Sequence, residues 1–325
     1  MPKIKISGGL TSLKMCLLSY KKIFVVYDRN VEQFAQKIAG DNPSFPLDAD
    51  DRNKTMDTVL DICRWLLTVN ADRSALVLAV GGGFTTDITG FAASIYKRGI
   101  RYANIPTTLL AMVDASIGGK TGVNFDSYKN MIGSFRQPEF TYIYPKVLET
   151  LPVREYNSGV AEMLKTFLIK NSDHNYEKAV EQVRKPFDAE AMEPLIEAAA
   201  QVKSKIVRKD EFDEGPRMVL NLGHTYGHAI EWWQTKNNVQ QPYSHGEAVA
   251  IGIIQAAKKS VEKGIAMEYL PGQLSDDFAR CGLPTELPCP ESELDDAILH
   301  DKKQEGGKLN FVFIKEIGKV VVKKI

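Results

Sequence analysis

At 325 residues the chain is long enough for two domains, or one large one, around a sizeable core. Its 44% apolar and 25% charged composition is ordinary for a soluble globular protein, and Lys plus Arg equals Asp plus Glu at 41 each, so no global field draws it to nucleic acid or an acidic membrane. Cys16, Cys63, Cys281 and Cys289 form no C-x-x-C pair; with no apolar run near the roughly 20 residues of a membrane span and no signal-peptide core after Met1, the expectation is a cytoplasmic protein with reduced thiols.

Taken in order, Lys22-Ile23-Phe24-Val25-Val26-Tyr27 predicts a buried strand closed by Asp28, whose carboxylate can take a ribose hydroxyl or serve a turn. Met56, Val59, Leu60, Cys63, Leu66 and Leu67 recur at helical spacing and predict a helix over residues 55–67. Leu76-Val77-Leu78-Ala79-Val80 is the continuous apolar run of a strand covered on both faces. It feeds Gly81-Gly82-Gly83-Phe84-Thr85-Thr86-Asp87, read as a turn, and then a helix over residues 88–94. Strand, glycine turn and helix together aim backbone N–H groups at a phosphate. A plain tight turn is the other reading, since the run is neither G-x-G-x-x-G nor a Walker loop. Asp87 either caps the helix or holds a ligand.

Residues 97–130 interleave hydroxyls, glycines, lysines and Asp114 with few large apolar side chains. Such a segment is expected to bury little, and so to be ordered by a phosphate-bearing ligand or to remain a solvated loop.

From Leu151 the pattern turns helical. Glu162 and Lys165 stand three apart, the spacing of a surface ion pair worth under about 1 kcal/mol, but Met163, Leu164, Phe167 and Leu168 around them predict partial burial. Pro186 and Pro194 punctuate the next helices, and residues 201–209 form a basic helical stretch whose charges are expected to be mostly solvated. Residues 284–293 are proline- and acid-rich and loop-like. His300-Asp301-Lys302-Lys303 then leads through Gly306-Gly307 to the strand-like Leu309-Asn310-Phe311-Val312-Phe313-Ile314.

His224, His228 and His245 are three of only five histidines. On a helix the first two share a face one turn apart. A lone histidine is most often a surface or satisfied core residue. Clustered beside Gly223, Gly227 and Gly246, which let other groups approach closely, these three predict a metal or catalytic site.

Residues 81–87, Pro106-Thr107-Thr108-Leu109-Leu110, residues 114–120, Lys129-Asn130-Met131-Ile132-Gly133, Gly159-Val160-Ala161-Glu162, residues 221–231, His245-Gly246-Glu247 and Asp301-Lys302-Lys303 together resemble the 3-dehydroquinate synthase family of sugar-phosphate cyclases, in register from about residue 20 to residue 320. The resemblance implies an α/β, Rossmann-like N-terminal domain over residues 1–150 that binds NAD. It further implies a mostly α-helical C-terminal domain over residues 151–325 that holds the substrate and a divalent metal, zinc or cobalt. Members are usually homodimers. The implied enzyme is a carbon–oxygen lyase that turns 3-deoxy-D-arabino-heptulosonate 7-phosphate into 3-dehydroquinate and phosphate, a shikimate-pathway step of aromatic amino acid biosynthesis.

Carried over residue by residue, the family's metal ligands fall on Glu162, His224 and His245, a set that leaves positions open for substrate oxygens. His228 falls on a catalytic histidine. Asp213, in Asp210-Glu211-Phe212-Asp213, falls on an acidic catalytic position where Glu is usual. NAD positions fall on Asp28, on Asp51 (again shorter than the usual Glu) and Lys54, on Gly82, Gly83 and Asp87 in the glycine turn, and on Thr107, Thr108, Lys129 and Thr150. Substrate positions fall on Arg98, Asp114, Lys120 and Asn130, then on Lys165, Lys203, Arg217, Asn221, His228 and Lys302, with Lys120 and Lys165 also in the catalytic set. The interval from His228 to His245 is longer than in many members and carries Trp232 and Trp233. Glu231, seven residues after His224 on the same helical face, is expected to orient a histidine or else to be an exposed helix carboxylate.

The implied chemistry hangs together. Oxidation of the C5 alcohol by NAD acidifies the neighbouring C–H, phosphate leaves by β-elimination, the hydride returns, and an opened ring closes by intramolecular aldol addition. A substrate with two anions accounts for cations gathered in the motifs of a neutral chain. The alternatives are another sugar-phosphate cyclase, an NAD- and metal-dependent polyol dehydrogenase that would yield net NADH, and a non-catalytic NAD- and zinc-binding protein.

Overall fold

The apolar runs become the middle strands of a parallel sheet. A computed structural model of the chain describes residues 3–7, 9–126, 128–298 and 310–324. They divide into two units, Met1–Leu151 and Pro152–Ile325.

The strands of the first unit are β1 (Lys3–Ile6), β2 (Ile23–Asp28), β3 (Ser44–Leu47), β4 (Leu76–Gly81), β5 (Arg101–Pro106), the hairpin pair β6 (Lys120–Phe125) and β7 (Tyr128–Phe135), and β8 (Phe140–Ile143). All but the hairpin lie in one sheet of order β1-β8-β5-β4-β2-β3, every neighbouring pair parallel. Alternate side chains serve opposite faces. Phe24, Val26 and Val77 join Val59, Ile62 and Leu66 of α3 (Met56–Thr68) and Ile88 and Phe91 of α4 (Gly83–Ile95). Val25, Tyr27, Leu76, Leu78 and Val80 pack with Leu13 of α1 (Leu10–Leu17) and Ala35 and Ala39 of α2 (Glu32–Ala39). Both faces are thus covered, which is why these strands read as unbroken apolar runs. The chain passes from β2 to β3 on one side and then to β4 on the other. Sheets of this kind take ligands beyond the strands' carboxyl ends at such a switch point. Asp28 ends β2 and Gly81 ends β4, one on each side of it.

Two expectations change here. The helix after β4 starts at Gly83, not residue 88, so the turn is confined to Gly81-Gly82 and Asp87 lies inside the helix instead of capping it. Residues 97–130 are also far from unburied. Leu109, Ala111, Met112, Val113 and Val123 are fully buried, and Thr107, Ser116 and Thr121 are nearly so. The small polar residues allow this because they bond the backbone: Thr121 Oγ1 donates to Ser134 O at 2.9 Å, Ser116 Oγ to Ala111 O at 2.7 Å, and Gly122 faces Gly133 across the hairpin.

The second unit carries α5 (Val153–Ile169), α6 (Asn175–Val183), α7 (Ala189–Lys209), α8 (His224–Lys236), α9 (His245–Glu262) and α10 (Leu270–Arg280), with an antiparallel ribbon of β9 (Asn310–Glu316) and β10 (Lys319–Lys324). Helix α5 is buried without interruption from Ser158 to Ile169, and α9 from Ala248 to Ala257, so these two are its core. Pro194 does not end a helix as expected. It lies in the second turn of α7, which is started by Asp188 accepting from Glu190 N at 2.9 Å and Ala191 N at 3.3 Å, and which forgoes one backbone bond and continues. A Rossmann-like α/β unit precedes a mostly α-helical one. All four cysteines are free.

Candidate active site

In the second unit, close backbone contacts bring the histidines together. Gly223 caps α8 with φ +79°, and a Cβ on Gly252 of α9 would overlap the Gly223 carbonyl oxygen. Only glycine lets α8 start this close to α9. At the start of α9, Ser244 and Glu247 form a capping box, and Arg154 of α5 donates to Glu247 Oε2 from Nε at 3.2 Å and Nη2 at 3.0 Å. Gly246 lies directly on the backbone of Ser158, donating its N–H to Ser158 Oγ at 3.0 Å. His245 is therefore fixed over α5, one turn from Ser158, where Glu162 points inward.

Glu162 is fully buried, with Oε1 3.6 Å from His245 Nε2 and 3.9 Å from His224 Nε2. One ligand atom from each of the three residues falls within 4.8 Å of the others. Ligands at about 2.1 Å from a tetrahedral ion stand roughly 3.4 Å apart, so an ion fits with small adjustments. Neither Glu162 oxygen accepts a hydrogen bond of normal geometry, although Lys165 Nζ is 2.5 Å from Oε2. A buried carboxylate left in this state is a donor atom for a cation. The pair is sealed off completely, deeper than the partial burial expected from sequence.

Burial alone would raise the Glu162 pKa, but Lys165, His245 and His224 hold it well below the ordinary carboxylate range. Burial and Lys165 push His224 well below the ordinary imidazole value. His245 goes the other way: burial opposes its charge, but the carboxylates of Glu162 and Glu231 push it up to about 10. His228, exposed on α8, sets its ring 5.3 Å from that of His224 and 6.3 Å from that of His245. Glu231 lies closest to His245 of α9, Nδ1 to Oε2 3.4 Å, and not to His224 on its own helix; His224 Nδ1 faces the Leu222 carbonyl at 3.1 Å.

The basic stretch ending α7 is mostly solvated, as expected, with Lys205, Arg208 and Lys209 exposed; Lys203 alone among them is buried. Arg217 is buried too, its Nη1 donating to Glu211 O at 2.6 Å. Asp210 draws the intervening turn together by accepting from the N–H groups of Glu214, Gly215 and Arg217 at 3.0, 2.7 and 3.0 Å. Asp213 sits half-buried in that turn with φ +63°. Asn221 is exposed at the end of the short helix Pro216–Asn221. Lys302 and its neighbours His300, Asp301 and Lys303 lie outside the described residues.

In the first unit, Asp28 accepts from Asn30 N at 2.9 Å at the end of β2. Gly82 is the N-cap of α4 and offers no capping side chain, and a Cβ there would crowd Thr108 Cγ2 at 3.0 Å. A bare helix start at a switch point, pared down to glycine, suits a diphosphate. Lys54 Nζ donates to Asp87 Oδ2 and to Asn130 Oδ1, both at 2.6 Å, joining α4 to the hairpin. Lys129 pairs with Asp51 at 3.4 Å. Thr107 N donates to Gly81 O at 2.9 Å, and Thr108 Oγ1 accepts from Ala111 N at 3.2 Å. Arg98 and Lys120 are exposed, Asp114 is half-buried, and Thr150 Oγ1 donates to Val147 O at 3.3 Å.

Sequence reading missed Arg154 and Ser158 as the supports of His245. The S-x-x-E pattern of residues 244–247 was the available signal for the cap; the contacts to α5 span about ninety residues of chain and leave no local trace.

Residues 44–158 match the family model described as 3-dehydroquinate synthase N-terminal, and residues 159–304 the one described as 3-dehydroquinate synthase C-terminal. The 3-dehydroquinate synthase of Geotalea uraniireducens is 42% identical over 83% of this chain and 74% of its own. That of Acetivibrio thermocellus is 38% identical over 98% and 91%. Among solved structures, 2-epi-5-epi-valiolone synthase from Streptomyces hygroscopicus subsp. jinggangensis, with NAD+ and Zn2+ bound, superimposes with a TM-score of 0.88 at 28% identity, over 100% of this chain and 93% of that one. A 2-deoxy-scyllo-inosose synthase in complex with carbaglucose-6-phosphate, NAD+ and Co2+ gives 0.86 at 23% identity over 99% and 93%, a likeness of fold.

Proposed function

The chain belongs to the 3-dehydroquinate synthase family, and from that premise we propose which of its side chains carry the conversion of 3-deoxy-D-arabino-heptulosonate 7-phosphate to 3-dehydroquinate and phosphate. It is an enzyme of the carbon–oxygen lyase class. Sequence relatives carrying this name over most of their length set the reading above another sugar-phosphate cyclase or a polyol dehydrogenase.

The observation that carries the assignment is the convergence of Glu162, His224 and His245 on one point with Lys165 beside it. Zinc or cobalt held by these three supplies a Lewis acid for substrate oxygens, and NAD held by the first unit supplies a hydride acceptor that is restored each turnover. Lys165, Lys203 and Arg217, all buried, bind the substrate's anionic groups and stabilise the charge that builds on the departing phosphate. His228 passes a proton to the phosphate oxygen, with Asp213 as the second acid–base group. In the first unit Asp28 takes the ribose, Gly82 and Gly83 the diphosphate, and Asp51, Lys54, Asp87, Thr107, Thr108, Lys129 and Thr150 complete the cofactor contacts. Arg98, Asp114, Lys120 and Asn130 serve the substrate, as does Lys302. The first unit is thus the NAD-binding domain and the second the metal- and substrate-binding domain.

The same reading has a cytoplasmic homodimer with no nucleic-acid partner. Balanced charge supports the last point, and the exposed Phe125, Tyr128, Met131 and Phe135 of the hairpin offer apolar surface to a second copy. No helix of the described residues is long and apolar enough to cross a membrane.

The test follows phosphate and NADH absorbance together, with the seven-carbon substrate, NAD and zinc. Phosphate should appear with no net NADH. Net NADH without phosphate would overturn the reading.

A further inference from the structure

The imidazole of His245 stands between two carboxylates, one at each ring nitrogen. Nε2 faces Glu162 at 3.6 Å, and Nδ1 faces Glu231 Oε2 at 3.4 Å. His224 differs, because its Nδ1 meets the neutral carbonyl of Leu222 at 3.1 Å. Glu231 comes from α8, two turns past His224, so one helix supplies a ring of the cluster and the anion behind the other ring. Its side chain is 13% exposed. A carboxylate kept for helix solubility would be exposed and matched to a cation three or four residues away. Gly227, Gln234 and Thr235 occupy those positions on α8, with His228 as the remaining one, and none is a lysine or arginine.

We propose that Glu231 is a positioning residue for the metal: by accepting the Nδ1 proton of His245 it fixes the tautomer whose Nε2 lone pair points at the Glu162–His224 cluster. The inference rests on reading Glu162, His224 and His245 as the metal ligands. An anionic acceptor does more than aim the ring. It pushes electron density toward Nε2 and makes His245 the stronger of the two imidazole donors, as carboxylates behind ligating histidines do generally. Glu231 acts through the ligand and touches no reacting atom, so its loss is felt in how tightly the ion is held.

The experiment compares zinc dissociation constants of the wild-type chain, Glu231→Gln and Glu231→Ala by competition with a chromophoric chelator. Cobalt spectra report ligand geometry. Glu231→Gln, which keeps size and an acceptor oxygen but loses the charge, should weaken zinc about 10-fold, and Glu231→Ala up to about 100-fold. The cobalt ligand-field band should shift in both, while kcat at saturating zinc stays within about threefold of wild type, as expected for a ligand's support and not for a group on the substrate. Zinc affinity within about twofold of wild type in Glu231→Gln, with an unshifted cobalt band, would overturn the proposal. If Glu231→Ala fails to fold, the isosteric variant decides alone. A wild-type chain that binds no zinc would sink the metal reading and this one together; tight wild-type binding with an unaffected Glu231→Gln sinks only this one.

Discussion

The ammonium of Lys165 lies 2.5 Å from the carboxylate of Glu162, one turn earlier on the same helix, and the two side chains are 2% and 0% exposed. Without metal, Lys165 is the nearest compensation for a charge that has lost its water. Breaking one side of a buried pair costs about 3–5 kcal/mol because the other charge stays behind. Lys165→Met should therefore melt well below wild type in the presence of a chelator. Zinc brings its own positive charge to Glu162, so the gap should narrow sharply when zinc is added. Thermal melts with chelator and with zinc measure this, and an equal gap in both would mean that Lys165 does not neutralise Glu162.

His228 belongs to the same helix as His224 but stands outside the proposed ligand set, exposed and 5.3 Å from its neighbour's ring. His228→Ala should retain zinc with nearly wild-type affinity and lose turnover by about 10²–10⁴-fold, the usual worth of a positioned proton-transfer group. Metal analysis of the purified variant beside its kcat separates the two roles. Loss of the ion would mean that His228 had been wrongly set apart from the ligands.

Local signals were legible in the sequence and contacts across the chain were not. The strands at Ile23–Asp28 and Leu76–Gly81 and the helix at Met56–Thr68 are close to their apolar patterns because each is decided by its own burial. Residues 97–130 misled because small polar side chains look like loop in isolation, yet here they bond backbone groups and bury with them. At the site, histidine spacing alone left a metal or a catalytic role open for His224, His228 and His245; only the family resemblance singled out Glu162, His224 and His245, which α5, α8 and α9 bring together, and Lys203 alone is buried in a stretch of similar basic residues. Those facts depend on which helix lies alongside, and helix-by-helix reading carries no such information.

Gly246 provides a sharper check on how His245 is held. Any Cβ there would overlap the Ser158 carbonyl oxygen and crowd its Cα, both backbone atoms that cannot turn aside. Gly246→Ala must therefore push the start of α9 off α5. It should cost more than about 3 kcal/mol of stability and abolish zinc binding with it. Ser158→Ala is milder: it strands the buried Gly246 N–H, bonded at 3.0 Å in the wild type, at a cost of about 1–3 kcal/mol. Denaturant unfolding should rank the variants in that order, and a neutral Gly246→Ala would refute the contact.

The cofactor role proposed for Asp28 sets stability against binding. Burial at the end of β2 raises its pKa above the ordinary 3.8, and the Asn30 hydrogen bonds recover only part of that. A folded-state value above the unfolded one means that the folded chain holds this proton more tightly. The stabilising effect is complete below the unfolded value and is lost as pH rises through the folded one, so at pH 7 the buried charge is a net burden on the fold. Asp28→Asn removes the charge but keeps an acceptor for Asn30 N, bonded at 2.9 Å. Its unfolding midpoint without NAD should lie above wild type at pH 7 and converge on it below pH 3.8. NAD affinity should move the opposite way, falling roughly tenfold as a charged acceptor for the ribose becomes a neutral one. Melts across the pH range and NAD titration at pH 7 measure the two sides. A variant destabilised at pH 7 would show that the carboxylate's local bonds outweigh its burial, and unchanged NAD binding would remove Asp28 from the cofactor site.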